Sequence, residues 1–420
     1  MKVVHISNSD SNGGAAIAAL RICQAQQNIK ELSSILLAGD KKSNNDCVIP
    51  FTGRYYSKLG RKINFILDES LIRLLTVTER GRFTFPFFGI DIACHPDVMD
   101  ADLINLHWIN GGFLSLRSLK KLALLNKPIV WTMHDMWAFT GGCHYSSSCD
   151  RFRDACGNCP SLLTKSNNDI SKRIFEQKSA LFREMKLTIV TCSNWLAEQT
   201  RESKLLRNKQ IMVIPNPLDT DNYLAVDKTE SRLELNLPIN KKLILIGAAN
   251  LNDKRKGIDY LIESLNILSK KDKSINDRIE LVSFGKIDEN VGNKIPFKIN
   301  QLGRLNNEIK IIKAYNSADV FVAPSLQDNL PNTVMEAMAC STPVVAFNVG
   351  GIPDMIDHLQ NGFLAEAGLA GQLAEGISYI LSDQQNSYRL GLNAKLKVCE
   401  NFNQDLVAKK YLDLYKSILN

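Results

Sequence analysis

The sequence predicts an α/β protein made of two doubly wound parallel sheets, and three observations carry that prediction. Short β-branched apolar runs recur along the chain, each closing on a glycine-rich or polar loop and followed by a helix-forming segment. The rhythm begins at residue 2 and restarts at Lys242, after a polar stretch rich in Lys and Glu. At 420 residues the chain is also too long for one ordinary core, so two domains of about 200 residues are expected.

Composition narrows the class. With 45% apolar, 23% charged and 7% aromatic residues, the chain is an ordinary globular protein, neither disordered nor fibrous. A net charge of +7 lacks the dense basic stripe of a nucleic-acid binder, so no nucleic-acid partner is expected. The opening MKVVHISNSDSNGG reads as a buried strand and loop rather than a signal peptide. No run reaches the roughly 18 apolar residues of a membrane span. Ten cysteines without an export signal point to a reducing, cytoplasmic compartment.

In chain order, residues 2–7 (KVVHIS) are the first strand. Gly13-Gly14 closes a polar loop, and Ala15–Ala25 is a strong helix former. Strand, glycine turn and helix can place an anion on helix amides, or can merely let strand and helix pack closely; both readings stand. Leu36–Ala38 fits a second strand.

Residues 51–88 break the pattern. Seven Lys or Arg against three acids give this segment +4 of the net charge, with Leu, Ile and aromatics between them. That is the composition of a basic amphipathic segment, suited to a membrane surface or to packing on the sheet with its charges in water.

Leu103–Trp108 and Pro128–Asp135 are strands ending at His107 and His134, where active sites of such sheets lie. Next come Cys143, Cys149, Cys156 and Cys159, four of the ten cysteines within 17 residues. The Cys156-Gly157-Asn158-Cys159 knuckle suits two thiolates on one tetrahedral ion, and all four sulfurs would close a structural zinc site, with His144 as a substitute ligand. Reduced thiols in a loop, or disulfides in an exported protein, are the other readings. Leu187–Thr191 and Gln210–Pro215 are further strands, and Asp219-Thr220-Asp221 past a Pro-rich turn reads as linker rather than as a metal motif.

In the second half, Lys242–Gly247 and Ile279–Gly285 are strands, and Ile258–Ser269 and Asn307–Ala318 are helices. Asn250–Gly257 is a basic loop. Val320–Val322, a polar loop, and Thr333–Ala339 then repeat strand, loop, helix, with Asp328 and Glu336 eight positions apart. Lys256 before one helix and the Asn332-Thr333 amides at the start of another suit a phosphate. Glu336 can take a ribose diol, or can close a capping box with Thr333. Phe402–Leu419 is an amphipathic closing helix.

These residues resemble the retaining glycosyltransferases of family 4, which have the GT-B fold, over nearly the whole chain and most strongly from about 213 to 363. The family signature Glu-x7-Glu followed by Ala-Met-Ala is matched by Asp328-x7-Glu336-Ala-Met-Ala. TMHDMWAFTGGCHY with its trailing cysteines is similar to the bacterial capsule and exopolysaccharide branch.

The resemblance implies two Rossmann-like domains facing each other across a cleft. Residues 1–217 would bind the acceptor, with a cysteine-rich insertion at about 141–160. Residues 218–395 would bind a nucleotide-diphosphate-sugar donor, and 396–420 would return to the first domain. It further implies that Glu336 binds the ribose, Asp328 contacts donor-sugar hydroxyls, and Leu330, Pro331, Asn332 and Thr333 meet the diphosphate. Lys256 would be the phosphate lysine and His134 would lie beside the reacting sugar. Gly13, Gly14 and His107 would face the acceptor. Two departures stand out: the first signature acid is Asp328, and Asn250 stands where the family has an Arg, leaving Lys254 or Arg255 to supply that charge.

The expected function is therefore transfer of a sugar, with retention, to a saccharide or lipid-linked saccharide during surface polysaccharide synthesis. No cofactor is expected for catalysis, and zinc is expected only as a structural ion. The enzyme would sit in the cytoplasm, with residues 51–88 at the inner membrane face. A nucleotide-sugar epimerase and a non-catalytic nucleotide-sugar binder are the alternatives.

Overall fold

The computed structural model describes residues 1–51, 58–77 and 83–420. The parts of the basic segment at 52–57 and 78–82 lie outside the described residues. The described chain divides into two compact units, Met1–Pro217 with Asp405–Asn420, and Leu218–Gln404.

The first unit holds β1 (Lys2–Ser9), β2 (Ser33–Asp40), β3 (Val48–Pro50), β4 (Leu103–Leu106), β5 (Ile129–Met133), β6 (Leu187–Thr191) and β7 (Gln210–Val213). They pair, all parallel, in the order β3-β2-β1-β4-β5-β6-β7. Every residue of β4, β5 and β6 is buried. Strands covered by helices on both faces read as unbroken apolar runs, which is why these were legible. One face carries a core through Ile6, Leu106, Trp131 and Ile189. The other packs Val3, Leu103, Val130 and Val190 against Val407, Tyr411, Leu414 and Tyr415 of the helix Gln404–Leu419. The chain's last helix thus belongs to the first unit.

The second unit holds β8 (Lys242–Asn250), β9 (Ile279–Lys286), β10 (Ile299–Gln301), β11 (Val320–Ala323), β12 (Val344–Phe347) and β13 (Phe363–Ala365). Its parallel order is β10-β9-β8-β11-β12-β13, with the chain reversing direction across the sheet between β8 and β11. Ile244, Ile246, Val322 and Val345 form the centre of its core.

Three edge strands, β3, β10 and β13, were not legible in the sequence. Each is three residues long, too short to show a period. The division between units also falls after Gln404 rather than at 395/396. The helix Gln384–Asn401 runs through that point and buries Leu390, Ala394 and Val398 within the second unit.

Candidate active site

In the second unit the switch between β8 and β11 opens a hollow lined by Gly247, Ala248, Lys256, Ala323, Pro324, Ser325, Pro331 and Thr333. Lys256 reaches it from a short 3-10 turn, Lys254–Lys256, capped by Asp253. Gly257 ends that turn at φ +68°, and a Cβ there would stand 1.8 Å from the carbonyl oxygen of Pro324. Only glycine lets the lysine turn come this close to the end of β11.

Lys256 Nζ lies 2.6 Å from Asp328 Oδ2. Arg255 Nη1 is 3.5 Å from the same oxygen and donates to the carbonyl of Gln327. Burial drives the Asp328 carboxyl upward, but Lys256 and then Arg255 outweigh it and hold the group below its usual value. Asp328 is 7% exposed, with Oδ2 also taking the Ser325 hydroxyl and Oδ1 the Asn329 amide. Its nearest partner is the phosphate lysine, and the short side chain keeps it there. Gly350 packs on the backbone of this same residue: its φ is +57°, its Cβ would meet Asp328 O at 1.7 Å, and Gly351 N–H donates to that oxygen.

The helix after this loop runs Asn332–Ala339, with Pro331 as its N-cap and no side-chain capping bond. Thr333 is therefore inside the helix, and no capping box with Glu336 forms. Glu336 Oε2 instead accepts the Tyr315 hydroxyl at 2.9 Å. Leu330 is buried at the loop end, while Asn332 and Thr333 are partly open. Asn250 does not join this site. It is exposed at the end of β8, and its Oδ1 accepts from the backbone and side chain of Asn252. Arg255 is the second cation near Lys256.

In the first unit, β1 ends in the loop closing on Gly13, whose φ of +95° suits glycine, and Gly14 opens the helix Gly14–Gln27. His134 follows β5 and His107 follows β4. His107 was expected at the acceptor, but it is 2% exposed with both ring nitrogens engaged, Nε2 to His5 Nδ1 at 2.9 Å and Nδ1 to His134 Nε2 at 3.1 Å. A ring committed on both sides supports its neighbours rather than a ligand. His5 was legible only as part of an apolar strand, and its partners on other strands had no sequence signal.

Cys143, Cys149, Cys156 and Cys159 line one hollow, and Gly141 N–H donates to Cys156 Sγ at 3.2 Å. Even so, among the described residues no group of three or more His, Cys, Asp or Glu is arranged so that it could hold a metal ion. The closed four-sulfur set expected from the spacing is not formed as the chain stands. Burial pushes the Cys143 thiol up to about 12 and raises Cys156 and Cys159 as well, and neutral thiols have no charge to gather round a point. His144 is engaged elsewhere, Nδ1 at 2.7 Å from Asp135 Oδ2 and Nε2 at 3.0 Å from Thr84 Oγ1. Beneath the cluster the fully buried Lys178 donates to the carbonyls of Trp137 and Thr140 and lies over the Trp137 ring. Asp219 binds Asp221 N and the Asn222 amide in a local turn.

Comparison with known proteins decides the family. The profile described as Glycosyltransferase Family 4 matches residues 67–222, and that of Glycosyl transferases group 1 matches residues 240–383. The chain belongs to the family 4 glycosyltransferases. The N-acetyl-alpha-D-glucosaminyl L-malate synthase of Bacillus anthracis is 25% identical to this glycosyltransferase, over 87% of this chain and 92% of that protein. The putative colanic acid biosynthesis glycosyl transferase WcaC of Escherichia coli K12 is 25% identical, over 82% and 83%. Among solved structures, Anabaena HepE in complex with UDP-glucose superposes with a TM-score of 0.64 at 15% identity, covering 99% of this chain and all of that one. The fold of this glycosyltransferase is GT-B.

Proposed function

We propose that this glycosyltransferase moves a sugar, with retention, from a nucleotide-diphosphate-sugar to a saccharide acceptor in bacterial surface polysaccharide synthesis. The carrying observation is the hollow between β8 and β11, where Lys256 and Thr333 of a helix's first turn line the space and Glu336 stands one turn further in. A diphosphate there meets an ammonium and the positive end of a helix. Glu336, steadied by Tyr315, accepts the ribose hydroxyls. As the glycosidic bond breaks, Lys256 and the helix amides take the charge growing on the leaving phosphate, which is the work a metal would otherwise do. That phosphate accepts the acceptor's proton on the same face, so retention follows without a separate base. The polysaccharide setting is supported by the function named for WcaC.

A lipid-linked acceptor is supported by the helix Lys58–Leu75. It leaves Leu59, Ile63, Ile66, Leu67 and Leu74 exposed, beside the exposed Lys62 and Arg73. An apolar stripe flanked by cations fits an anionic membrane surface at the cytoplasmic face. No helix among the described residues is long and apolar enough to cross a membrane.

For the cysteines, the reading includes a structural zinc on Cys143, Cys149, Cys156 and Cys159. Their shared hollow supports it, and binding would draw the thiols inward as they lose protons.

The test is product analysis. Donor and acceptor together should yield a glycoside with the donor's anomeric configuration. Product from donor alone would make the protein an epimerase, and tight donor binding without turnover on any acceptor would make it a binder.

A further inference from the structure

Across four neighbouring strands of the first unit runs a row of side chains outside the donor hollow. His5 on β1, His107 after β4, His134 after β5 and Cys192 after β6 stand side by side. Their contacts are His5 Nδ1 to His107 Nε2 at 2.9 Å, His107 Nδ1 to His134 Nε2 at 3.1 Å, and His134 Nδ1 to Cys192 Sγ at 3.6 Å. Successive imidazoles are inclined by only 24° and 20°. Behind His5, its Nε2 meets Gln26 Oε1 at 2.9 Å. Gln26 is fully buried, and its Oε1 also accepts the Ser34 hydroxyl at 2.6 Å. Its Nε2 donates to the Tyr415 hydroxyl, which Asn105 Nδ2 holds at 2.7 Å.

A neutral imidazole has one donor and one acceptor nitrogen. Burial lowers His5 and His134 to about 4 and His107 well below its ordinary value, so all three are neutral near pH 7. The Gln26 carbonyl accepts, so His5 carries its proton on Nε2 and must accept on Nδ1. His107 then donates from Nε2 and accepts on Nδ1, and His134 donates from Nε2. All three rings share one tautomer, and the amide at the far end chooses it. We infer that Gln26, His5 and His107 are positioning residues that fix the proton of His134 on Nε2 and leave Nδ1 as its acceptor nitrogen. In this state His134 cannot protonate a leaving group. It orients the donor sugar as a neutral ring, which rests on the reading of His134 as the group beside that sugar.

The test uses the full chain labelled with 15N at histidine. Multiple-bond nitrogen–proton spectra at neutral pH should show His5, His107 and His134 all as Nε2–H. Gln26→Leu removes the fixed acceptor and should shift the His134 nitrogen signals away from that pattern, whereas Gln26→Glu, which keeps an acceptor oxygen, should preserve it. In transfer assays Gln26→Leu should lower kcat at least about 10-fold with KM within about twofold, and Gln26→Glu should recover most of the loss. Mixed tautomers in the unsubstituted protein, or unchanged His134 signals in Gln26→Leu, would overturn the inference. If Gln26→Leu does not fold, the unsubstituted protein and Gln26→Glu still decide it. If no acceptor is ever glycosylated, the spectra still stand, and only the transferase reading falls.

Discussion

The ammonium of Lys256 lies 2.6 Å from Oδ2 of Asp328, in a site where the carboxylate is 7% exposed. The residue expected to read the donor sugar is therefore first of all the anchor of the phosphate lysine. A donor must share that lysine with it. Removing Lys256 alone leaves a buried charge without its principal partner, which typically costs about 3 kcal/mol or more. Lys256→Met should abolish transfer and lower the denaturation midpoint. The double variant Lys256→Met/Asp328→Asn should regain most of the stability but none of the activity. Denaturant titration alongside a transfer assay checks both.

Tyr315 donates to Glu336 Oε2 at 2.9 Å and so orients the carboxylate offered to the ribose. Glu336→Ala should eliminate detectable nucleotide binding. Tyr315→Phe should weaken it by about 0.5–1.5 kcal/mol, up to roughly 10-fold in Kd. Calorimetric titration with the nucleoside diphosphate measures each, and equal binding by Glu336→Ala would remove that residue from the site.

Gly257 holds a left-handed turn against Pro324. Gly257→Ala adds backbone strain worth about 1–3 kcal/mol and must push the lysine turn off β11. Donor KM should rise with the loss in thermal stability, whereas a variant matching the parent in both would show that this close approach is dispensable.

The buried histidines make stability fall in acid. His5 and His134 sit near 4 in the folded chain against about 6.5 when unfolded. Between those values the unfolded chain binds more protons, so stability rises with pH there. The contribution is complete above about pH 6.5 and is lost progressively as pH falls towards 4, by on the order of 3 kcal/mol per ring. His5→Gln should flatten this slope by about one proton, read from denaturant midpoints across that window.

Protein purified without chelator should carry about one zinc per chain, released when the thiols are modified. Cys156→Ser with Cys159→Ser should lose the metal, while Cys94→Ser, an exposed cysteine outside the hollow, should keep it. Metal-free protein with reactive thiols in the cluster would leave it a set of buried neutral cysteines.

The sequence by itself determined the two α/β halves, because strands buried on both faces must be apolar runs and β4, β5, β6, β8 and β11 are such runs. It also determined where the donor loop lies, through Lys256, Gly257 and the Asp328-x7-Glu336 spacing. It could not tell whether Glu336 capped its own helix. Only tertiary structure decided that, by starting the helix at Asn332 and bringing Tyr315 onto the carboxylate. Partners far apart in sequence were equally hidden. Asp328 meets Lys256 across 72 positions, His5 meets His107 across 102, and Gln26 meets Tyr415 across 389. Periodicity reports which face of an element is buried, but not which element buries it. That choice is made by strand order in the sheet, and it turned an expected acceptor ligand, His107, into the middle ring of a buried chain.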